Sequence, residues 1–397
     1  MAKYIGRWGC GDGSSEILKG DQIMIELDKL SVNTEYSDSD LSSLISECIQ
    51  CGVCTSVCPK RHVSKYNPRM IIHSALLGHT LSMEDLTDCL TCSECFEYCP
   101  QMIDFPKFIR EYRTKVVLNE ENFAHHNIFN LLQIFMTQMT ESGLSFQYEG
   151  EIDAESRTAY FPGCIDLFDR FLDLQKTDFH QIGQSAINIM NKAGIKPNLI
   201  SLKCCGHDAY WTGDNDTFEK IRDYNTQIIR NSGISTLVVS CAECYYSFEE
   251  LYKLEGIKIQ HITQFIEEQQ TTLPFKEEKG IVTYHDACRL GRFMKEYDSP
   301  RSVLKNTGTT IMELENNKEN CTCCGVSAWL KCDDRARAIM LQKLDEATRT
   351  GASTLVVGCT KCFAHLNCIL EDKEPQHNYQ ILVKEIGTFL DGLITGK

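Results

Sequence analysis

Two kinds of hydrophobic pattern divide the chain. In the first 150 residues apolar positions recur at helical spacing. Asn67 is placed to cap a helix that opens at Pro68, carries Ile71, Ile72, Ala75 and Leu76 on one side, and stops at Gly78. Ser82, with Asp85 three residues on, reads as a capping box at a second helix start. Ile128–Met139 is apolar but broken by Asn130, Gln133, Thr137 and Gln138, which predicts a packed helix and not a membrane span. Beyond residue 155 short β-rich runs appear at Ala159–Phe161, Leu237–Val239, Ile281–Tyr284 and Leu355–Val357. Between them, Thr217–Asn231 places Phe218, Ile221, Tyr224 and Ile228 on one face, with Gly233 beyond its end. Asp334–Thr350 does the same with Ile339, Met340, Leu344 and Ala347, before Gly351. Strands alternating with amphipathic helices predict α/β units on parallel sheets.

Length and charge narrow the possibilities. A chain of 397 residues makes two or three domains, each able to bury a core. A net charge of −15 argues against nucleic acid or an anionic membrane as the main partner. No run of 18 apolar residues occurs, and Lys3 and Arg7 precede no apolar segment, so neither a membrane span nor a signal peptide is expected. The expected location is the cytoplasm, or the inner face of the membrane through a partner.

Cysteine changes the picture most. The chain has 22. So many thiols in a long chain without a secretion signal point to metal ligands, not disulfides. Cys48, Cys51, Cys54 and Cys58 form a C-x2-C-x2-C-x3-C-P run that ends at Pro59. Cys89, Cys92, Cys95 and Cys99 repeat it, ending at Pro100. Zinc usually takes two separated pairs of ligands. Runs of this form instead wrap a cubane [4Fe–4S] cluster with three thiolates and send the fourth to the other cluster. On that rule Cys48, Cys51, Cys54 and Cys99 hold one cubane. Cys89, Cys92, Cys95 and Cys58 hold the other.

The second half carries a duplicated set. Cys164, Cys204-Cys205-Gly206 and Cys241-Ala242-Glu243-Cys244 return as Cys288, Cys323-Cys324-Gly325 and Cys359-Thr360-Lys361-Cys362, displaced by about 120 residues. Flanking sequence repeats too, STLVVS at 235–240 against STLVVG at 353–358. The key cysteines follow the strands, where open α/β sheets place their ligands. Five thiolates exceed the needs of one zinc or one cubane, and glycine after the adjacent pair lets backbone approach closely. Zinc and buried structural cysteines remain as alternatives.

These motifs resemble heterodisulfide reductases. The paired runs, with the intervening NPRMIIHSALLG stretch at 67–78, are similar to that enzyme's C subunit. The two copies ending in Cys-Cys-Gly are similar to the CCG domains of its B subunit, and the whole resembles the fused D-type subunit over roughly residues 45–370. The resemblance implies an α+β/α/β multidomain protein. Residues 1–40 would be an N-terminal extension, and 41–120 a mainly helical ferredoxin-like domain with two clusters. Residues 121–155 would be a helical linker, followed by two duplicated α/β CCG domains at 156–275 and 276–397. It also implies a noncubane [4Fe–4S] cluster on Cys164, Cys204, Cys205, Cys241 and Cys244, and another on Cys288, Cys323, Cys324, Cys359 and Cys362. That makes four clusters in all.

The implied activity is reduction of the coenzyme M–coenzyme B disulfide. The alternative is an electron-transfer subunit of a flavin dehydrogenase, of the anaerobic glycerol-3-phosphate dehydrogenase or glycolate oxidase type, passing electrons towards quinone. Lys203, His207, Arg289, Arg292 and Lys361 are candidates to hold an anionic disulfide substrate, and His207 or His285 to supply protons. Cys10, Cys321, Cys332 and Cys368 lie outside the pattern and read as spare thiols. The Gly9–Gly13 stretch lacks a full dinucleotide fingerprint, and no C-x-x-C-H occurs, so no flavin, NAD or covalent haem is expected in this chain. Electrons would then come from a partner in a hetero-oligomeric complex. That partner would be a flavoprotein, a hydrogenase or formate dehydrogenase module, or a membrane cytochrome, docking on the ferredoxin-like domain.

Overall fold

The computed structural model describes residues 38–116, 122–139, 146–172, 177–276, 280–371 and 379–395, with residues 118, 144 and 174 between them. The Gly9–Gly13 stretch and Cys10 lie outside the described residues.

Short helices make up the first unit, from Asp38 to Arg113. The helix Pro68–Leu76 starts where the sequence places it, because the Asn67 side chain accepts from the Met70 N–H at 3.2 Å. The same oxygen accepts from Thr55 Oγ1 at 2.8 Å, which ties the cap to the first cysteine run. Ser82 and Asp85 close the expected capping box ahead of the helix Met83–Thr87. Ile45, Ile71, Ile72, Leu86, Phe105, Phe108 and Ile109 form the buried centre of this unit. Each contributes about 1.5–3 kcal/mol by leaving water, and together they hold the two cysteine runs side by side.

Two parallel sheets follow. The first contains β1 (Thr158–Phe161), β2 (Asn198–Leu199), β3 (Thr236–Val239) and β4 (Lys258–His261), in the order β2-β1-β3-β4. The second contains β5 (Ile281–His285), β6 (Thr310–Ile311), β7 (Thr354–Val357) and β8 (Leu382–Glu385), in the order β6-β5-β7-β8. Every pairing is parallel, and the register matches between copies: Phe161 lies beside Val239, and His285 beside Val357. The duplication in sequence is therefore a duplication of fold. The helix expected at Thr217 begins at Asn215, because Asp214 caps it by accepting from Thr217 N–H at 3.0 Å. Asp333 does the same for Asp334–Arg349.

The two α/β units pack directly on each other. Helix His180–Lys192 lies against Ile386–Thr395, where Asn188 Nδ2 donates to Asp391 Oδ2 at 2.9 Å. Thr263 and Ser299 hydroxyls meet at 2.9 Å between Ile262–Gln269 and Asp298–Asn306. Helix Ile128–Gln138 packs over the first α/β unit, as its apolar pattern predicts. Its buried Gln133 accepts from Ala209 N–H, and its Met136 sulfur from Cys204 N–H at 3.4 Å. Leu131 and Phe135 remain exposed. Among the described residues, no helix is long and apolar enough to cross a membrane.

Candidate metal centres and the charged core between them

The packing of the helical unit brings its eight cysteines into two groups. Cys48, Cys51, Cys54 and Cys99 line one cavity, which Cys95 also borders. Cys58, Cys89, Cys92 and Cys95 line another. In each group three thiols come from one run and one from the other. Backbone N–H groups already point at sulfur, Thr91 to Cys89 at 3.4 Å and Ile103 to Cys99 at 3.3 Å. Such bonds are among the levers that set cluster potentials. The donor chemistry of both groups therefore fits a cubane cluster. Burial pushes the thiols of Cys58 and Cys95 up, so binding metal there must release protons.

The two five-cysteine sets assemble at the carboxyl ends of the sheets. Cys164 follows β1, Cys204 and Cys205 follow β2, and Cys241 and Cys244 follow β3. Cys288, Cys323, Cys324, Cys359 and Cys362 repeat this after β5, β6 and β7, and line one small cavity. Gly206 and Gly325 take the left-handed conformation, with φ of 76° and 98°. A Cβ at Gly206 would meet the Phe218 ring at 2.9 Å, so the residue after that cysteine pair must be glycine for backbone and space alike.

Neighbouring sets touch. Within the first α/β set, Cys164 neighbours Cys204, Cys204 neighbours Cys205, Cys205 neighbours Cys244, and Cys244 neighbours Cys241. Cys241 then reaches Cys359 across the domain boundary, and Cys359 reaches Cys362. Cys362 lies 3.3 Å from Cys324, and Cys324 adjoins Cys323. Cys323 reaches both Cys288 and Cys92 of the helical unit. Three of the four sets thus form one unbroken run of thiols, with the second α/β set in the middle.

A buried charged cluster fills the space beside this run. Lys361, between Cys359 and Cys362 of the second copy, bonds to Asp208 and, at 2.9 Å, to Glu243, which sits between Cys241 and Cys244 of the first copy. Glu243 and Lys361 occupy the same place in the repeat with opposite charge. Burial disfavours the Lys361 charge, but Asp208 and Glu243 together hold the ammonium well above its usual range. Burial pushes the Glu243 carboxyl up, so Asp208 carries the countercharge. His207 Nδ1 faces Asp208 at 3.0 Å, and its Nε2 accepts from Arg289 Nε at 2.8 Å. Burial, opposed by Asp208, brings His207 down to about 3, so the ring is neutral with its proton on Nδ1.

Of the five basic candidates for substrate binding, the structure gathers His207, Arg289 and Lys361 into this cluster. Arg289 also bonds to the Thr91 carbonyl at 2.6 Å and hydroxyl at 2.9 Å, and it lies 4.3 Å over Trp211 and 4.2 Å over Phe293. Arg292 donates to the Cys92 carbonyl at 2.8 Å and to the Cys321 carbonyl. Both arginines therefore clamp the helical unit onto the second α/β unit. Arg113 makes the corresponding tie to the first, bridging the Cys89 and Trp211 carbonyls at 2.9 and 2.6 Å. Lys203 stands apart, 4.1 Å over the Tyr224 ring. Asp208, Glu243 and Arg113 escape a reading of the sequence for functional positions. Only the opposite charges at matched repeat positions could have flagged Glu243.

Comparison with known proteins identifies the domains. Residues 47–103 match the 4Fe-4S dicluster domain, and residues 158–249 and 282–367 each match the cysteine-rich CCG domain. An uncharacterized iron-sulfur protein of Methanococcus maripaludis is 27% identical over 93% of this chain and 76% of its own. The EtfAB:quinone oxidoreductase of Syntrophomonas wolfei is 24% identical over 75% of this chain and 50% of its own. The D-type subunit of the Methanosarcina mazei dihydromethanophenazine:CoB–CoM heterodisulfide reductase is 24% identical over 81% and 88%. The chain is an iron–sulfur oxidoreductase or electron-transfer subunit, with one 4Fe-4S dicluster domain ahead of two CCG domains, and it is a homologue of the D-type subunits of heterodisulfide reductases.

Proposed function

We propose that electrons enter this protein at the Cys48/Cys51/Cys54/Cys99 set, pass to the Cys58/Cys89/Cys92/Cys95 set, and reach the paired CCG sites, where a small-molecule disulfide of the coenzyme M–coenzyme B class is reduced to two thiols. The observation that carries this reading is the run of thiols from Cys92 through Cys323 to Cys164. An iron–sulfur group on each set, when bound, would take up and release single electrons. The cysteines hold such groups in sequence, and the buried packing around Cys89, Cys92, Cys323 and Cys324 keeps water from the line. Reduction of a disulfide consumes two electrons and two protons. Two complete five-cysteine sets side by side suit a substrate with two sulfur atoms, and the Methanosarcina mazei relative is named for this reaction. The donor is a partner protein that docks at the outer cubane set. There Cys51 is exposed, and Ile49 and Met102 are 61% and 72% exposed.

One observation favours the second reading, a relay between a flavoprotein and quinone. His207, Arg289, Arg292 and Lys361 are all buried and bonded to groups of the protein itself, which leaves them turned away from an anionic substrate. A relative named for a quinone reaction fits the same reading. An anaerobic EPR titration of the oxidised protein with the coenzyme M–coenzyme B disulfide separates the two. A new paramagnetic signal on addition is the expected result. No change with the disulfide, together with rapid reduction by a flavoprotein and reoxidation by a quinone, would replace the first reading with the second.

A further inference from the structure

The two CCG sites are not equivalent, and the difference lies in one pair of residues. Phe161 ends β1 three residues before Cys164, and His285 ends β5 three residues before Cys288. Two residues before each Cys-Cys-Gly stand Leu202 in the first copy and Cys321 in the second. All four side chains are buried. In the first copy the pair is apolar, and Phe161 packs edge-on against Phe146 and Phe248. In the second copy the same places hold an imidazole and a thiol.

Burying these polar groups is unfavourable unless something engages them. One nitrogen is engaged: His285 Nδ1 lies 3.3 Å from Cys321 Sγ. The Cys321 sulfur is in turn 3.8 Å from Lys343 Nζ, which pairs with Glu346 at 2.6 Å. The other nitrogen, Nε2, is buried without a well-aligned hydrogen-bond partner, and the ring also lies within reach of the Cys324 thiol. A ring nitrogen of His285 and the Sγ atoms of Cys324 and Cys362, both assigned to the second CCG set, all lie within 4.8 Å of one another. Histidines that bind metal characteristically donate their other N–H to an acceptor that fixes the ring. Cys321 Sγ, beside the Lys343 ammonium, is placed to be that acceptor for Nδ1–H, which leaves the Nε2 lone pair for a metal held by Cys324 and Cys362.

We propose that His285 Nε2 is a further, nitrogen donor to the iron held by the second CCG set, with Cys321 and Lys343 orienting the ring, and that the first CCG set has no such donor. The proposal rests on the second set holding an iron–sulfur group. Iron content tests that separately from the identity of the ligand. Ligand identity is one of the levers that set the potential of an iron–sulfur centre, so an imidazole on one set and none on the other would separate the potentials of the two CCG sites.

The decisive measurement uses the unaltered protein. Anaerobic preparations carrying ordinary and 15N-labelled histidine are compared by pulsed EPR of the CCG signals. The expected result is a nitrogen coupling from a directly bound imidazole that changes with the label. It should disappear in His285→Phe, the residue the first copy itself uses, while iron content holds and the midpoint potential of one CCG centre shifts and the other stays. Phe161→Leu should leave the coupling in place. Spectra with no imidazole coupling in the labelled wild-type protein, or a coupling that persists in His285→Phe, would overturn the assignment.

Discussion

Lys361→Met is expected to destabilise the protein by about 3–5 kcal/mol, the range for removing one partner from a buried ion pair. The loss is large beside the roughly 5–15 kcal/mol that holds a typical protein folded. Lys361 is 3% exposed, and its ammonium bonds to Asp208, to Glu243 at 2.9 Å and to the Ser327 carbonyl at 3.3 Å. Methionine fills a similar volume but leaves the Asp208 carboxylate buried with only the neutral His207 beside it. The readout is the urea midpoint of the tertiary-structure signal, which should move to clearly lower urea. Adding Asp208→Asn removes the stranded charge while keeping an acceptor for His207 Nδ1–H, so the double variant should recover most of the loss. A single variant as stable as the parent would mean that the ammonium does not hold the two CCG units together.

Cys92→Ala should have the largest effect on electron flow. Cys92 lines the same cavity as Cys58, Cys89 and Cys95, and its thiol is also the one that reaches Cys323 of the second α/β unit. Its carbonyl is held by Arg292 at 2.8 Å, so the residue is fixed at the domain boundary. Removing the thiol takes a ligand from one site and the contact between two. Reduction of the CCG sites by the physiological donor should fall to background, while a small chemical reductant still reduces them. Cys51→Ala, at the exposed end of the line, should interrupt the same route one site earlier. Wild-type rates from the donor in both variants would show that electrons enter elsewhere.

Much of this architecture is legible in the chain because it is written locally. A cap is a matter of three or four residues, so Asn67–Met70 and Ser82–Asp85 can be placed from sequence alone. The β-rich centre of each sheet is visible because buried parallel strands read as continuous apolar runs. The outer strands are not. β2 and β6 have two residues each, and β8 alternates exposed and buried positions. Such segments carry too little apolar signal to stand out from loops.

The site divides in the same way. Its cysteine sets announce themselves by spacing, but the contacts that join the sets do not. Cys92 and Cys323, Lys361 and Asp208, and Arg289 and Thr91 are each separated by more than 150 residues, and no periodicity records which of them meet. That is why Arg289, Arg292 and Lys361 read as free cations for a substrate and prove to be bonded within the protein. It is also why Cys321, which reads as a spare thiol, is found against His285 and Lys343.

The account depends on eighteen cysteines holding four iron–sulfur groups. Iron, acid-labile sulfide and zinc per chain, measured on protein purified without oxygen, test that most directly. Four [4Fe–4S] groups require about sixteen irons with matching sulfide. A chain that holds zinc in the α/β units, or only the roughly eight irons of the two cubane sets, would contradict it.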